Sequence, residues 1–315
     1  MRVGNKRVLI TGATGFIGSN LLRELVNRGA RPEVIIRRQS NIWRIKDIFN
    51  KINVHCVDLT DAKRLYGVIK QIRPQIIYHL ASYGVYPHQK NLNLIKEINL
   101  DATINLLEAC KKIGFDHFIH TGSCFEYGSK KELIKESSHL EPETDYAVFK
   151  AASTLYCKEQ STAHNLPITI LRPFTAYGPY EDDKRLIPTL LMSCIRNRRP
   201  VLSTPGAVRN FVYVGDIANA YLDVTNNQKT FNKIYNVASD RQYSIAELVE
   251  IVSKVTKTKI IPKYNAKLIR AYEPTMWRAS FRNIHLDAGW GPKHNIRQGI
   301  QKSYSWFKKY ACLYQ

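Results

Sequence analysis

The sequence predicts an α/β fold in which a doubly wound parallel sheet carries a smaller C-terminal lobe. Two features predict it: short apolar runs alternate with longer helical patterns up to about residue 173, and this alternation loosens afterwards. Strands buried on both faces are apolar throughout, and helices between them make parallel crossovers. A ligand crevice is therefore expected beyond the carboxyl ends of the strands.

Each element of the sheet region has its own pattern. The predicted strands are the β-rich apolar runs at 7–11, 33–37, 54–58, 75–80, 117–121 and 168–173. The predicted helices include 17–29, 94–114 and 146–165.

The C-terminal part predicts the second lobe. Helical patterns cover 184–200 and 244–257, and between them "RNFVYVGDIANAYLDVT" at 209–225 indicates a return to the sheet. The expected sheet domain spans 1–173 with a return at about 209–240, and the lobe spans 174–208 and 241–315. Because no Gly/Ser linker separates them, the two parts should interleave, with a cleft between them.

The composition indicates which kinds of ligand the protein binds. Among 315 residues, 47 Lys and Arg against 26 Asp and Glu give a formal charge of +21, which favours anionic partners. The basic residues form no aromatic-interleaved stripe or nucleic-acid module, so no nucleic acid is expected. Phosphorylated small molecules remain as anionic partners.

The sequence predicts neither a membrane protein, nor a metalloprotein, nor a disulfide-bonded protein. No stretch approaches the ~20 apolar residues that cross a bilayer. The N-terminus runs into "KRVLITGATGFIG" without a signal-peptide pattern, so a cytoplasmic protein is expected. Six scattered cysteines without a CxxC pair indicate reduced thiols, and neither these nor the histidines have metal-ligand spacing.

A glycine motif, "VLITGATGFIGSNLL", follows the first predicted strand and opens a helix. Its glycines allow a tight turn and close backbone approach, while the helix N-terminus offers free N–H groups and a positive dipole to a pyrophosphate. A dinucleotide is therefore expected to contact Gly12, Thr14, Gly15, Phe16, Ile17 and Gly18.

Arginines stand at the end of the second strand, where an acidic side chain would hydrogen-bond the adenosine ribose of NAD. Arg37 and Arg38 occupy that place in "IIRRQS". A guanidinium can bind a 2′-phosphate bidentately, so NADP(H) is predicted and NAD is the alternative. The competing interpretation is that both arginines are solvated surface charge.

A tyrosine and a lysine share one helix face in "DYAVFK". Tyr146 and Lys150 are four residues apart, and a nearby ammonium is expected to lower the tyrosine pKa toward the working range. Ser123, at the end of the preceding strand, is expected at the crevice mouth, where it could hydrogen-bond the same oxygen as Tyr146.

Together these residues resemble the extended short-chain dehydrogenase/reductase family of nucleotide-sugar epimerases, dehydratases and ketoreductases. The resemblance covers nearly the whole chain, through "TGATGFIG", "VDLTD", "YHLAS", "TGSCFEYG", "YAVFK", "LRPFTAYGP", "RNFVYVGDIANA" and "DAGWGP". It implies a Rossmann domain and a lobe that binds a nucleoside-diphosphate sugar. It also implies homodimers joined through the helices around 94–114 and 145–165.

The resemblance also implies site residues. The catalytic set is Ser123, Tyr146 and Lys150, the last two of which also contact the cofactor. Further cofactor contacts are Asp58, Leu59, Ala81 and Asn99. The implied substrate contacts, besides Ser123, are Tyr83, Cys124, Phe125, Thr175, Arg185, Arg209 and Arg270. Thr175 and Asn210 depart from the family pattern, which often has Asn and Asp there.

The two positions after Ser123 argue against a dehydratase. The 4,6-dehydratases of the resembled family place a carboxylate one or two positions after the catalytic hydroxyl residue, for proton transfer across C5–C6. Here those positions are Cys124 and Phe125. Glu126 is one step too late, and in a continuing strand it would point to the opposite face.

The identity of the cofactor distinguishes between the two remaining reactions, reduction and epimerisation. A net reduction consumes NADPH, whereas an epimerase returns its hydride and usually keeps NAD. The arginines therefore favour an NADPH-dependent ketoreductase, and "GSCFEYG" is similar to the serine segment of 4-keto-6-deoxy-sugar reductases. That similarity implies reduction of an NDP-4-keto-6-deoxyhexose at C4, in deoxysugar biosynthesis for a surface polysaccharide such as lipopolysaccharide. A 4-epimerase is the first alternative. The second, a non-catalytic NADP sensor or RNA-associated protein, would have no need of a poised tyrosine.

Overall fold

The computed structural model describes residues 6–86, 88–268 and 276–314. The strands are β1 (Val8–Thr11), β2 (Glu33–Ile36), β3 (Asn53–Cys56), β4 (Ile76–His79), β5 (His117–Thr121), β6 (Ile168–Pro173), β7 (Thr175–Tyr177), β8 (Val201–Leu202), β9 (Val208–Tyr213), β10 (Lys233–Val237), β11 (Gln242–Ser244) and β12 (Lys263–Tyr264). The helices are α1 (Phe16–Asn27), α2 (Ala62–Ile72), α3 (Leu92–Lys96), α4 (Ala102–Ile113), α5 (Asp145–His164), α6 (Leu186–Ile195), α7 (Val214–Val224), α8 (Ile245–Thr256), α9 (Arg282–Ala288) and α10 (Ile296–Lys309).

Seven of the strands form one parallel sheet in the order β10, β6, β5, β4, β1, β2, β3. The chain builds outward from β1 through β2 and β3, then returns to β4 on the other side. β1 and β4 are neighbours at this switch point and end side by side at Thr11 and His79. A crevice forms there because the chain leaves the two strands toward opposite faces. The predicted doubly wound parallel sheet is confirmed.

The strands are apolar throughout because both faces of the sheet are covered. On β1, Val8 and Ile10 belong to a core shared with α1 and α7, whereas Leu9 belongs to a second core with α2, α4 and α5. All three side chains are at most 2% exposed. Helices therefore cover both faces, and a ligand can reach the sheet only at the ends of its strands.

The C-terminal lobe has its own core and its own sheet. Helices α6, α8 and α10 pack together beside a three-stranded sheet of β11, β9 and β7. The predicted return of 209–225 to the main sheet is therefore wrong for its strand, since β9 pairs with β7 and β11. The chain returns through α7, which packs on α1, and through β10, which pairs with β6. A local apolar pattern cannot distinguish which sheet a strand will join.

The predicted helix at 94–114 is longer and contains an irregular turn. A π-helical segment, Glu97–Asp101, joins α3 to α4, so that the helix runs from Leu92 to Ile113. Single π turns are frequent at functional sites because they redirect a side chain. Asn99 lies in this segment and is fully buried.

Three further features of the described residues concern membrane spans, metal sites and disulfides. No helix there is long and apolar enough to span a membrane. No group of His, Cys, Asp and Glu side chains in the same residues is placed to hold a metal ion. The six cysteines are free thiols, and Cys110, Cys124 and Cys157 are buried.

Two glycines test the packing of the helices. A Cβ at Gly299 in α10 would lie 1.9 Å from the Tyr177 hydroxyl, whereas a Cβ at Gly67 in α2 would meet nothing within 4 Å. We expect Gly299→Ala to lower the free energy of unfolding by ~1–3 kcal/mol through overpacking. Gly67→Ala should raise it by ~0.5–1 kcal/mol, since glycine weakens a helix. Thermal unfolding measures both, and a Gly299→Ala variant as stable as the parent protein would contradict this packing.

Candidate active site

The loop between β1 and α1 is shaped for an anion. Gly12 has φ of +71°, and a Cβ there would lie 2.5 Å from the Ala81 nitrogen. A Cβ at Gly18 would lie 2.2 Å from the Gly12 oxygen, so only glycine lets the helix start this close to the turn. Gly15 is exposed at the helix N-cap, and the first-turn N–H groups have no acceptor within the helix. This cradle fits the pyrophosphate of a dinucleotide. The remaining predicted contacts on this loop and turn, Thr14, Phe16 and Ile17, are half-buried.

The other predicted cofactor residues stand at the ends of the neighbouring strands. Arg37 and Arg38 follow β2 directly, and both are exposed. After β3, Asp58 is exposed and Leu59 is buried. Ala81 follows β4 and is half-buried against the glycine loop. Because parallel strands end at one edge, the fold brings these residues to the same side of the sheet.

Asn99 shapes the loop that follows β4. Its amide nitrogen donates to the carbonyl oxygens of Tyr83 at 2.6 Å and Ile95 at 2.7 Å. Its amide oxygen accepts from the Tyr83 N–H at 3.3 Å. The buried amide is thus engaged with the half-buried Tyr83 segment, and Asn99 influences the crevice through that segment.

Two hydroxyl groups meet at the end of β5. The strand ends at Thr121, and Ser123 then caps a short 3₁₀ turn at Cys124–Tyr127. Tyr146 lies in the first turn of α5. Ser123 lies close enough to Tyr146 to act on the pKa of the tyrosine through a hydrogen bond. That one ligand oxygen contacts both hydroxyls stays a prediction.

Lys150 lies one helical turn beyond Tyr146 and is 2% exposed. Its ammonium donates a hydrogen bond to the Thr121 carbonyl oxygen, at the end of β5. Burial lowers the pKa of Lys150 to about 8, and the nearby Glu126 carboxylate limits that fall. Lys150 is therefore poised to titrate just above neutral pH.

The predicted lowering of the tyrosine pKa is not found. Burial raises the pKa of Tyr146 above its ordinary value, and the hydrogen bond with Ser123 offsets only part of the rise. The Lys150 ammonium is directed at the Thr121 carbonyl instead. Tyr146 is a neutral phenol at pH 7, which is the form that can donate a proton.

The predicted place of Glu126 on the opposite face of a strand is also wrong, because β5 ends before it. Glu126 lies in the 3₁₀ turn and is fully buried. Its Oε1 accepts from the Ser123 N–H at 2.7 Å, and its Oε2 accepts from Arg172 Nε at 2.7 Å. The carboxylate is therefore held in an ion pair behind the serine.

The two positions after Ser123 supply a thiol and an aromatic ring. Burial raises the pKa of Cys124 to about 12, so the thiol keeps its proton. The ring of Phe125 meets the rings of Tyr146 at 6.3 Å and Trp277 at 5.6 Å, both edge-on. Neither position can exchange a proton at neutral pH.

Cationic side chains approach from the lobe. Arg185 caps α6, and its guanidinium lies over the Tyr86 ring at 5.7 Å from the centroid. Arg209 lies on β9, and both arginines are close enough to Cys124 to act on its pKa. Thr175 is half-buried on the adjoining strand β7. The structure thus brings these predicted contacts toward one side of the site. The predicted contact Arg270 lies outside the described residues.

Sequence reasoning missed two residues that contact the candidate site. Arg172 interrupts the apolar strand "ITILRP", and a charge inside a buried strand is a signal that a buried partner exists. Its partner Glu126 is not identifiable from local pattern. Trp277 lies near no motif, and only the packing of the lobe against Phe125 reveals it.

The parallel sheet, the glycine cradle and the tyrosine–lysine–serine group define an NAD(P)-dependent oxidoreductase of the extended short-chain type. Residues 8–238 match the NAD dependent epimerase/dehydratase family, and the chain belongs to that family. The resemblance inferred from the sequence motifs is confirmed.

Relatives of this chain carry out different reactions. The dTDP-D-glucose 4,6-dehydratase of Mus musculus is 25% identical, over 96% of this chain and 89% of its own length. The GDP-6-deoxy-D-mannose reductase of Pseudomonas aeruginosa is 25% identical, over 94% of this chain and 95% of its own length. The solved UDP-N-acetylglucosamine 4-epimerase of Methanobrevibacter ruminantium, in complex with UDP-N-acetylmuramic acid, is 25% identical with a TM-score of 0.87, over 96% of this chain and 98% of that one. The chain is an enzyme of this nucleotide-sugar epimerase, dehydratase and reductase type.

The glycine cradle gives a matched pair of variants. A Cβ at Gly15 would meet only the Gly12 oxygen, at 3.1 Å, whereas a Cβ at Gly18 would lie 2.2 Å from it. We expect Gly15→Ala to keep its melting temperature but to bind dinucleotide at least about tenfold more weakly, since the methyl group enters the anion cradle. Gly18→Ala should lose stability first. Calorimetric titration and thermal unfolding measure both, and undiminished binding by Gly15→Ala would contradict the assigned cradle.

Proposed function

We propose that this enzyme uses NADPH to reduce the C4 keto group of a nucleoside-diphosphate 4-keto-6-deoxyhexose, in deoxysugar biosynthesis for surface lipopolysaccharide. The observation that carries the proposal is that Tyr146 and Lys150, one turn apart on α5, lie beside Ser123 just after β5, and that a thiol and a phenyl ring follow this serine. Such a group can bind a carbonyl oxygen and protonate it. It offers no free carboxylate at positions 124 and 125 for eliminating water across C5–C6.

Each member of the site has one role in this reduction. The reduced nicotinamide, when bound, supplies a hydride to the carbonyl carbon. Tyr146 donates its phenolic proton to the oxygen on which negative charge develops, and Ser123 donates a hydrogen bond to the same oxygen. The raised pKa of Tyr146 keeps the proton in place until this stronger base forms. Lys150 holds a cofactor ribose hydroxyl and stabilises the phenolate that remains.

The preference for NADPH rests on Arg37 and Arg38. Both follow β2 and are exposed, at the place where a carboxylate would favour the ribose hydroxyls of NAD. Two guanidinium groups there can bind a 2′-phosphate bidentately. NAD is the alternative, since the family as a whole is NAD-dependent.

The lobe formed by 174–208 and 241–315, together with strand β9, is proposed to bind the nucleoside diphosphate. Arg185 and Arg209 supply guanidinium groups, which match the geometry of phosphate oxygens. Thr175, between them and the main sheet, is proposed as a hydrogen-bonding contact, and Tyr83, Cys124 and Phe125 would line the sugar side. Arg270 belongs to the same proposal on sequence grounds alone.

A 4-epimerase is the second candidate, and the likeness to the solved epimerase favours it. In that reaction Tyr146 must first take a proton from a sugar hydroxyl and later return it. A raised tyrosine pKa opposes the first step. An enzyme that never consumes its cofactor also gains nothing from arginines after β2 that bind a 2′-phosphate. Both arguments favour the reductase.

A homodimer is part of the same proposal. The helices around 94–114 and 145–165 carry exposed apolar side chains that a second copy would cover. These are Leu92, Leu94, Val148 and Leu155, which are 51%, 37%, 44% and 56% exposed.

The proposed reaction can be tested by following the loss of reduced-nicotinamide absorbance. GDP-, dTDP- and CDP-4-keto-6-deoxyhexoses would be supplied in turn, with NADPH and NADH in parallel. We expect one nucleotide series to consume NADPH, and to do so faster than NADH. No consumption with any of them, together with tightly retained NAD and reversible sugar interconversion, would replace the reductase with the epimerase.

The tyrosine can be tested with a matched variant on the same helix. Tyr146→Phe should lower kcat by about 10²–10⁴-fold, since it removes the proton donor, while dinucleotide binding is retained. Tyr156→Phe is the control, because that hydroxyl donates to Glu108 away from the site. Steady-state kinetics and calorimetric titration separate the two effects. A Tyr146→Phe enzyme with parental kcat would exclude Tyr146 as the acid.

A further inference from the structure

A buried carboxylate lies directly behind the proposed catalytic serine. Glu126 is 0% exposed, and its Oε1 accepts from the Ser123 N–H at 2.7 Å and from the Thr154 hydroxyl at 2.9 Å. Its Oε2 accepts from Arg172 Nε at 2.7 Å. These bonds tie the turn after β5 to β6 and to α5. The proposed mechanism assigns this carboxylate no role.

Arg172 also contacts a second residue of the same turn, Tyr127. Its Nη1 donates to the Tyr127 hydroxyl at 2.8 Å, and its guanidinium lies 4.6 Å from the centroid of the same ring. The Tyr127 hydroxyl in turn donates to Asn236 Oδ1 at 2.8 Å, on the edge strand β10. The position of Glu126 is therefore set by the main sheet.

The same carboxylate lies near a second buried cation. Lys150 donates to the Thr121 carbonyl oxygen, two residues before the Ser123 N–H that Glu126 accepts. Thr154, which also donates to Glu126, lies one turn beyond Lys150 on α5. The Glu126 charge accordingly acts on the pKa of Lys150 in opposition to burial. The other groups around Lys150 do not supply a negative charge. They are His79 from β4, His120 from β5, Cys157 from α5 and, across the shared carboxylate, Arg172 from β6. Burial lowers the pKa of His79 to about 3 and that of His120 well below its ordinary value, so both are neutral. Burial raises the pKa of Cys157 to about 12, so its thiol is neutral as well.

We propose that Glu126 is a positioning residue: it fixes the Ser123 backbone and keeps Lys150 charged, while Arg172 competes for the same carboxylate. The inference rests on the proposed function, in which charged Lys150 supports Tyr146. It assigns opposite effects to the two partners of one ion pair. Neutralising Glu126 leaves Lys150 among cationic and neutral groups. Neutralising Arg172 leaves Lys150 as the one cation that the Glu126 carboxylate stabilises among these groups.

The first test is the pH dependence of kcat for Glu126→Gln and Arg172→Met. The alkaline fall in kcat reports the loss of the Lys150 proton, since a neutral lysine no longer stabilises the phenolate. Glu126→Gln should move this fall to lower pH and Arg172→Met to higher pH, each by about one pH unit. A purely structural role would lower kcat in both variants without opposite displacements.

The second test needs neither substrate nor cofactor. NMR of isotopically labelled lysine ε-methylene groups, with Lys150 assigned through Lys150→Arg, gives the titration midpoint of Lys150 directly. The same opposite displacements are expected. Thr154→Val is the matched control, because it removes a neutral hydrogen bond to the same carboxylate and should leave the midpoint unchanged. If Arg172→Met fails to fold, the Lys150 midpoints of Glu126→Gln and Thr154→Val still test the proposal: a midpoint that is lower in Glu126→Gln alone supports it, and equal midpoints reject it.

The outcomes separate the two proposals. Midpoints that do not move, or that move in the same direction in Glu126→Gln and Arg172→Met, overturn the role of Glu126 even if the parent enzyme reduces a keto sugar. Opposite midpoint displacements in an enzyme that turns over none of the candidate sugars support the coupling of Glu126 to Lys150 and reject the proposed reaction.

Discussion

The candidate site depends on the hydrogen bonds and the ion pair of the Glu126 carboxylate, because they join the turn after β5 to β6 and to α5. Taking a charge out of water costs several kcal/mol per ion, so a buried pair persists only where its hydrogen bonds are satisfied. Here the carboxylate accepts from Ser123, Thr154 and Arg172, and Arg172 also donates to Tyr127. The serine turn cannot shift without breaking this network, so the Ser123 hydroxyl group is held in place beside Tyr146.

A second polar chain joins the two halves of the crevice. Thr11, at the end of β1, and His79, at the end of β4, are 2.7 Å apart between Oγ1 and Nδ1. The other ring nitrogen of His79 lies 2.9 Å from the Thr103 hydroxyl on α4, which donates to the Asn99 carbonyl at 2.8 Å. The strand that carries the glycine loop is thus connected to the π segment that shapes the Tyr83 loop. The glycine loop and the Tyr83 loop therefore rest on one buried network.

The shared fold does not select the reaction. A dehydratase, a reductase and an epimerase are each 25% identical to this chain over nearly its whole length. All three chemistries need a carbonyl or hydroxyl group held beside a nicotinamide, which is what the strand-end hydroxyls and the glycine cradle provide. The differences lie in a few side chains around them. In this chain Cys124 and Phe125 follow Ser123, and the nearest carboxylate along the turn is locked in an ion pair.

The sequence by itself determined the parallel sheet, the glycine loop and the placement of Ser123, Tyr146 and Lys150 near the carboxyl ends of the strands. These depend on apolar periodicity, on backbone freedom at glycine and on helical spacing, which act over a few neighbouring residues. Only the tertiary structure decided which sheet β9 joins, where Glu126 points and in which direction the Tyr146 pKa moves. Those outcomes depend on burial and on partners far apart in the chain, such as Glu126 and Arg172, which are separated by 46 positions.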